Sequence, residues 1–264
     1  MKIAVISDLH LGAGDACDWF GHDEHQFLRF LRFLEDNFER VVLLGDIWET
    51  LTSRSHGDWV GGLRTAREAH RSIARRFEGA KYQYVHGNHD LIAGAAEGVP
   101  DRLLIDSGDA RVVFTHGHHH DLLISKARWL SELGVWLGGW IRRAGLDPLY
   151  RAFRGIERLS ENNAGNDQRF RRWALDVARD YRADIIVTGH THRAQVFEEA
   201  SGIPEQRLCQ EGRFSFSALD TGARHIWGPR LRAWSSASEL AGRRNSQLNH
   251  RYRRHRRPLG SCQT

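Results

Sequence analysis

Short polar runs that contain Asp, Asn or His follow five separate apolar segments of the chain. These segments are four to six residues long and span residues 2–7, 41–44, 82–86, 111–115 and 184–188. That length and composition are typical of buried strands. Ligands of open α/β sheets bind outside the carboxyl ends of the strands, because loops from several strands converge there. The sequence therefore predicts an α/β fold in which five strand ends assemble one site.

The polar runs hold side chains of the kinds that bind metal ions. In chain order they read DLH from Asp8, GDIWE from Gly45, GNHD from Gly87, HGH from His116 and GHTH from Gly189. Mixed imidazole and carboxylate ligands suit Mn²⁺, Fe, Zn²⁺ or Co²⁺ better than Ca²⁺ or Mg²⁺, which prefer oxygen ligands. A single Asp or His after a strand is more often an ordinary turn residue. Five such runs together predict a metal centre.

Spacing within the runs indicates how ions would be shared. Alternate residues of an extended segment point the same way, so Asp8 and His10 are expected to reach one ion. The same holds for His190 and His192 if that run leaves its strand in extended form. The Asp46 carboxylate has two oxygens and can bridge two ions roughly 3.5–4 Å apart.

An inserted helical segment is predicted before the last strand. Apolar periodicity predicts helices over residues 24–37, 63–77 and 170–181. The chain between the fourth and fifth strands is too long for a simple crossover, and we expect a helical cap from about residue 122 to 165. The cap carries an apolar stripe at helical spacing, made of Leu133, Trp136, Leu137, Trp140 and Ile141. The stripe either docks the cap on the body or receives an apolar ligand.

Positive charge is concentrated at the C-terminal end. Residues 224–264 contain ten arginines and one acid, Glu239, so this part carries +9. Because the whole chain carries +5, residues 1–223 carry −4. An acidic body does not suit nucleic acid, and we expect no nucleic-acid partner. Residues 243–264 are basic and of low complexity, and are predicted to be a disordered tail.

Composition favours a cytoplasmic protein. The three cysteines form no CxxC pair, as in a reducing compartment. The apolar start is interrupted at Asp8, so we expect no signal peptide. No segment approaches the ~18 uninterrupted apolar residues of a membrane span.

The ordered set of five runs resembles the calcineurin-like metallophosphoesterase family over roughly residues 1–195. The resemblance implies a four-layer α/β/β/α sandwich of two mixed sheets with the inserted cap. It also implies two divalent metal ions, with Mn²⁺ expected and Fe or Zn²⁺ as alternatives, and a bridging water as the attacking hydroxide. By resemblance, one ion is held by Asp8, His10 and His192, the other by Asn88, His116 and His190, and Asp46 is shared.

The resemblance also implies catalytic roles for two residues of the GNHD run. His89 is expected to act on the leaving oxygen, either as a general acid or as a hydrogen-bond donor in the transition state, and to be oriented by Asp90. Glu49 is expected near the ligands or in solvent rather than on an ion. At least two of the three histidines 118–120 are expected to be solvated, and Asp121 either orients a ligand or lies on the surface.

Three features of the sequence narrow the class of substrate. The opening SDLHLG, the HGH followed by Asp121, and the helical insertion before GHTH resemble the UDP-2,3-diacylglucosamine pyrophosphatase subfamily of lipid A synthesis. This implies a small, lipid-linked phosphorylated substrate and peripheral contact of the cap with the inner membrane, with Arg142 and Arg143 suited to a lipid phosphate. The alternative is a generic phosphodiesterase or a serine/threonine-type protein phosphatase. A nuclease and a non-enzymatic scaffold fit less well.

The chain is divided into three parts on these patterns. Residues 1–200 are predicted to form the metallophosphoesterase domain, including the cap. The hydrophobic patterns fade after about Phe197, so residues 201–242 are assigned to a C-terminal part without clear elements. Residues 243–264 form the basic tail.

Overall fold

The structure, a computed structural model, describes most of the chain up to residue 227. The described residues are 1–108, 110–120, 128–146, 148–150, 164–190, 195–198, 204–207, 215–220 and 225–227. The strands are β1 (Lys2–Ser7), β2 (Arg40–Leu44), β3 (Tyr82–Val85), β4 (Arg102–Ser107), β5 (Ala110–Thr115), β6 (Ile185–Thr188), β7 (Gln195–Glu198), β8 (Pro204–Arg207), β9 (Ser215–Asp220) and β10 (His225–Trp227). The helices are α1 (Glu24–Asn37), α2 (Trp59–Ala69), α3 (Arg71–Phe77), α4 (Ile92–Glu97), α5 (Arg128–Arg143) and α6 (Ala164–Asp180), with a 3₁₀ turn at His118–His120.

The strands form two mixed sheets of five. In the first sheet the order is β10-β9-β1-β2-β3, with β1, β2 and β3 parallel and β9 and β10 antiparallel to their neighbours. In the second sheet the order is β4-β5-β6-β8-β7, with a parallel centre and antiparallel edges. The parallel strands β1, β2 and β3 therefore end at one edge of the first sheet, and β5 and β6 at one edge of the second.

Apolar side chains from the two sheets pack against each other. This cluster comprises Ile3, Val5, Val42, Leu44 and Val85 of the first sheet and Ile105, Val112, Phe114, Ile185 and Val187 of the second. On the other face of the second sheet, Ala174, Val177 and Ala178 of α6 pack on Val113 and Ile186. Helix α1 lies against β2 of the first sheet. The predicted four-layer α/β/β/α sandwich is confirmed.

The sequence of α1 explains both its start and its buried face. The Asp23 side chain accepts a hydrogen bond from the Gln26 N–H at 2.8 Å, which satisfies one of the unpaired amides at the helix start. Buried residues follow at helical spacing: Phe27, Phe30, Leu31 and Leu34. Helix and boundaries agree with the periodicity of the sequence.

Helix α5 lies within the predicted cap, and the apolar stripe divides between its two sides. Leu133, Leu137 and Trp140 are exposed, whereas Ile141 is buried and the Trp136 indole N–H donates to the Ser53 carbonyl oxygen at 3.1 Å. The stripe is therefore partly a docking face and partly an open surface. Residues 121–127, 147 and 151–163, which the sequence also assigns to the cap or its edge, lie outside the described residues. Among the helices that the structure describes, none is long and apolar enough to cross a membrane.

Both sheets extend beyond residue 200, where the sequence-based division of the chain places the end of the domain. Strand β8 pairs with β6, and β9 pairs with β1 over six residues, from Lys2–Asp220 to Ser7–Ser215. Strand β8 reads PEQR and strand β9 reads SFSALD, and neither is a continuous apolar run, so the hydrophobic pattern alone did not reveal them. The predicted tail at residues 243–264 lies outside the described residues.

Truncation should separate the C-terminal strands from the basic tail. A chain ending at residue 200 loses β8, β9 and β10 and leaves β1 without its antiparallel neighbour, so we expect no cooperative thermal unfolding. A chain ending at residue 242 is the matched control and should melt like the full chain, since residues 243–264 offer little apolar surface. Calorimetry measures both. Equal melting temperatures for the two truncated chains would contradict this prediction.

Candidate metal centre

Backbone hydrogen bonds join the loops that follow β1 and β2. The Asp8 N–H donates to the Gly45 carbonyl oxygen at 3.1 Å, and the His10 N–H donates to the Asp46 carbonyl oxygen at 2.9 Å. A further bridge pairs Leu11 with the second loop. The parallel pairing of the strands thus continues past their ends, and it places Asp8 and His10 beside Asp46.

Several predicted ligands have a left-handed backbone. The φ angles are 56° at Asp8, 47° at His10, 52° at Asp46 and 68° at His190. Such angles are uncommon outside glycine and concentrate at functional sites. The expectation that Asp8 and His10 lie in an extended segment is therefore wrong, because each leaves the strand direction. Their side chains are nevertheless brought together by the turn.

Three groups of side chains at this edge could each hold an ion, and the ligand atoms within each group lie within 4.8 Å of one another. Two of the groups share Asp46: one is Asp8, His10 and Asp46, and the other is Asp46, His116 and His190. The third group is His10, Glu49 and His89. The Oδ1 atom of Asn88 is buried without a hydrogen-bond partner, as an oxygen reserved for an ion would be. His192 lies outside the described residues.

The orientation of the His116 ring is fixed by a hydrogen bond from its Nδ1 to a backbone carbonyl oxygen. Its Nδ1 lies 2.9 Å from the Leu44 carbonyl oxygen, and its Nε2 lies 3.1 Å from Asp46 Oδ2. An Nδ1–H donor fixes the tautomer that leaves Nε2 as a ligand atom. Two glycines make room for this packing. A Cβ atom at Gly45 would lie 2.5 Å from the His116 ring, and one at Gly87 would lie 2.2 Å from Asp46 Oδ1.

The charges of the buried groups depend on each other. Burial opposes the ionisation of Asp46, but the imidazoles of His116, His89 and His10 outweigh it and hold the pKa of Asp46 well below its usual range. Burial likewise opposes protonation of His116, but Asp46 prevails and raises the pKa of His116 to about 9. Cations bound here would replace these protons, so metal binding is expected to release protons.

The GNHD run works differently from its sequence-based interpretation. His89 Nδ1 lies 2.7 Å from Glu49 Oε2. The His89 ring is therefore oriented by Glu49, and not by Asp90 as the resemblance implied. Burial opposes protonation of His89, but Glu49 and Asp46 raise its pKa to about 10. Burial also opposes ionisation of Glu49, but His89 and His10 lower its pKa to about 2. The signal in the sequence was the position of Glu49, three residues after Asp46.

Asp90 holds the backbone of the centre instead. Its carboxylate accepts hydrogen bonds from the backbone N–H groups of Gly87 at 2.5 Å, Ile47 at 2.7 Å and Asp46 at 3.2 Å. It also accepts one from the Tyr84 hydroxyl. Burial and the nearby Asp46 raise the pKa of Asp90, an effect that the bonds from Tyr84 and Gly87 oppose. Asp90 therefore joins the loops after β2 and β3.

The three histidines after His116 are placed differently from one another. His118 is buried, between the rings of His86 and His116, and its burial and its histidine neighbours lower its pKa. His119 Nε2 lies 3.3 Å from an Asp101 carboxylate oxygen at the surface. His118 is thus a core residue rather than part of a solvated run. Asp121 lies outside the described residues.

The Asp90 interactions lead to a prediction about stability. Asp90→Asn places an NH₂ group where several N–H donors point, and we expect the free energy of unfolding to fall by about 2 kcal/mol or more. Tyr84→Phe is the matched control, because it removes one donor and should lower that free energy by about 1 kcal/mol. Denaturant unfolding measures both. Equal losses in the two variants would show that the backbone contacts of Asp90 contribute nothing.

Comparisons with known proteins identify the family of the chain. A family model described as calcineurin-like phosphoesterase matches residues 1–194. The UDP-2,3-diacylglucosamine hydrolase of Sodalis glossinidius is 25% identical over 230 residues, covering 75% of this chain and 85% of that protein. The protein of that name from Salmonella arizonae is 26% identical over 234 residues, covering 79% and 89%. A solved structure described as a predicted phosphoesterase from Streptococcus pneumoniae is 18% identical over 83% of each chain, with a TM-score of 0.37. Because the family model covers most of its length, the chain belongs to the calcineurin-like phosphoesterase family and is a phosphoester hydrolase.

Proposed function

We propose that the protein hydrolyses phosphoester or pyrophosphate bonds with a dinuclear metal centre. The observation that carries this proposal is the sharing of Asp46 by two ligand groups whose atoms each lie within 4.8 Å. The donors fit two divalent cations of the Mn²⁺, Fe or Zn²⁺ type, since they mix imidazole nitrogens with carboxylate and amide oxygens. One ion would be held by Asp8, His10, Asp46 and His192, and the other by Asp46, Asn88, His116 and His190.

The chain supplies the parts that such ions need. When bound, two cations neutralise charge on the phosphoryl oxygens and lower the pKa of the attacking water. Asp46 and His116 are almost completely buried, so their ligand atoms are fixed before substrate arrives. The bond from His116 to the Leu44 carbonyl oxygen keeps the ring oriented. These side chains define where the phosphoryl group is received.

His89 is proposed to protonate the leaving oxygen. Its ring centroid lies 4.6 Å from that of His10, and its side chain is 19% exposed, so a substrate can reach it. Glu49 occupies Nδ1, which leaves Nε2 for the substrate. The Thr50 N–H and hydroxyl donate to the His89 carbonyl oxygen and hold its backbone as well. A general acid must be positioned in this way to act in the transition state.

Two substitutions test the metal centre and the acid separately. Asp46→Ala removes the shared ligand, and we expect loss of bound metal and of activity on bis-p-nitrophenyl phosphate at every metal concentration. His89→Ala should keep its metal and lower kcat by about 10²–10⁴, the usual contribution of a positioned acid or base. Metal analysis and steady-state kinetics give the readouts. Turnover like wild type in Asp46→Ala would reject the dinuclear centre, and metal loss in His89→Ala would reject the role of His89 as a non-ligand.

The proposed substrate is UDP-2,3-diacylglucosamine or a similar lipid-linked phosphate. The two curated relatives named above are hydrolases of this compound, and the alignments cover 85% and 89% of their lengths. A cavity of about 260 Å³ lies between the loop after β2, α2, α4 and α5. Its walls include Leu51, Trp59, Leu91 and Ile92, together with the polar side chains of His86 and Glu132. Such a mixed lining suits an apolar part of a substrate.

Helix α5, which contributes Glu132 to the cavity, also carries an exposed apolar surface. Trp129, Leu133, Leu137 and Trp140 are each more than a third exposed. We propose that this surface contacts acyl chains and the inner membrane, and that the protein is otherwise cytoplasmic. The sequence suggested Arg142 and Arg143 as phosphate ligands. Both guanidinium groups instead contact the body or neighbouring aromatic rings, so they are not assigned to the substrate.

Two of the three tryptophans of α5, Trp136 and Trp140, can distinguish an acylated substrate from a generic one. Trp140 is exposed and Trp136 is bonded to the body. Trp140→Ser should therefore raise KM for UDP-2,3-diacylglucosamine by about fourfold per lost methylene contact of about 0.8 kcal/mol, without changing Tm or hydrolysis of bis-p-nitrophenyl phosphate. Kinetics on the two substrates, with calorimetry, check this.

Trp136→Ser is the matched control for that experiment. It should lower Tm and reduce both activities together, because Trp136 contributes to docking of the helix. Equal losses on both substrates in Trp140→Ser would reject the lipid hypothesis. The remaining candidates would then be a generic phosphodiesterase or a serine/threonine-type protein phosphatase.

A further inference from the structure

Arg143, at the end of α5, contacts two loops of the body at once. Its Nε donates to Asp15 Oδ2 at 2.7 Å, and its Nη2 donates to the Thr52 carbonyl oxygen. The Arg143 and Asp15 side chains are 22% and 24% exposed. Asp15 belongs to the loop between β1 and α1, and Thr52 to the loop after β2. Arg143 is thus a bridge between the two loops that carry His10 and Glu49.

A short path of hydrogen bonds leads from this bridge to the proposed acid. The Thr52 N–H donates to Glu49 Oε1 at 3.3 Å, and the Leu51 N–H donates to the same oxygen at 3.0 Å. The other carboxylate oxygen, Oε2, lies 2.7 Å from His89 Nδ1. Thr52 therefore accepts a hydrogen bond from Arg143 through its carbonyl oxygen and donates one to Glu49 through its N–H. Movement of Thr52 would therefore displace the carboxylate that orients His89.

The loop that carries Asp15 is also held by hydrogen bonds. Asp15 Oδ1 accepts a hydrogen bond from the Cys17 N–H at 2.8 Å, and the Cys17 thiol donates to the Gly139 carbonyl oxygen of α5 at 3.1 Å. Asp18 Oδ2 lies 2.6 Å from His70 Nε2, at the junction of α2 and α3. The loop is fixed to the helix on one side and to the body on the other.

We propose that Arg143 is a positioning residue for catalysis, which acts on His89 through Thr52 and Glu49. This inference rests on the proposed role of His89 as the acid. A guanidinium group suits the task because its planar fork offers five N–H donors, so one side chain reaches a carboxylate and a carbonyl oxygen in different directions. A lysine ammonium at this position keeps the charge but not the fork.

A double-mutant cycle tests the proposal on bis-p-nitrophenyl phosphate with metal-loaded protein. Arg143→Gln alone should lower kcat about tenfold with KM nearly unchanged, since a small displacement of a catalytic group is enough for such a loss. In the His89→Ala background the same substitution should change kcat by less than about twofold. The effects of two substitutions are not additive when one residue acts through the other. Arg143→Lys should also lower kcat while keeping Tm and metal content, which guards against a Gln variant that folds poorly.

Arg142→Gln is the matched control. It removes the same charge one residue away, and its guanidinium lies 4.9 Å from the ring centroid of Trp19, in the same loop as Asp15, rather than on Thr52. It should leave kcat unchanged. An equal loss in Arg142→Gln and Arg143→Gln, or the same tenfold effect in both His89 backgrounds, would overturn the proposal. If His89→Ala itself keeps full kcat, the proposed acid fails and the inference with it.

Discussion

The hydrogen bond between His116 Nδ1 and the Leu44 carbonyl oxygen connects the two sheets at the point where the centre forms. His116 follows β5 of the second sheet, whereas Leu44 ends β2 of the first, and the bond is fully buried at 2.9 Å. It directs Nε2 of the ring toward Asp46 of the first sheet. The ligands that we propose for the two ions come from loops of both sheets. Packing of Leu44 against Phe114 and its neighbours therefore sets the distances between ligands as well as the stability of the core.

The negative charge of the buried Asp46 carboxylate explains why histidine side chains surround it. Asp46 is 2% exposed, and a buried carboxylate is unfavourable unless positive groups or hydrogen-bond donors compensate it. Its Oδ1 accepts the His89 N–H at 2.8 Å, and its Oδ2 faces the ring of His116. These contacts compensate the carboxylate, and the two cations that we propose would take over the role of the imidazolium charges. The same low exposure would make each proposed cation interact more strongly with a phosphoryl group than it would in water.

Much of the centre was predictable from the sequence because its residues follow strands directly. Local alternation of apolar and polar residues identified the strand ends, and parallel pairing brings such ends together. The conformation of Asp8 and His10 was not predictable, since a left-handed backbone depends on hydrogen bonds to the loop after β2. The strands β9 and β10 were missed for a related reason. Strand β9 is held by its pairing with β1, and the three-residue β10 by its pairing with β9, rather than by a periodic apolar face.

The exchanged roles of Glu49 and Asp90 show the limit of motif-based assignment. Both are buried carboxylates close to His89, and the family resemblance implied that Asp90 would orient it. The tight turn that follows β3 directs Asp90 toward backbone N–H groups, including that of Gly87 at 2.5 Å, which leaves the imidazole to Glu49. The Glu49 carboxylate in turn accepts a hydrogen bond from the Thr52 N–H, and the Thr52 carbonyl oxygen accepts one from Arg143 of α5. On this proposal the orientation of His89 depends on contacts made by helix α5. No local pattern in the sequence indicates that dependence, because the two segments are far apart along the chain.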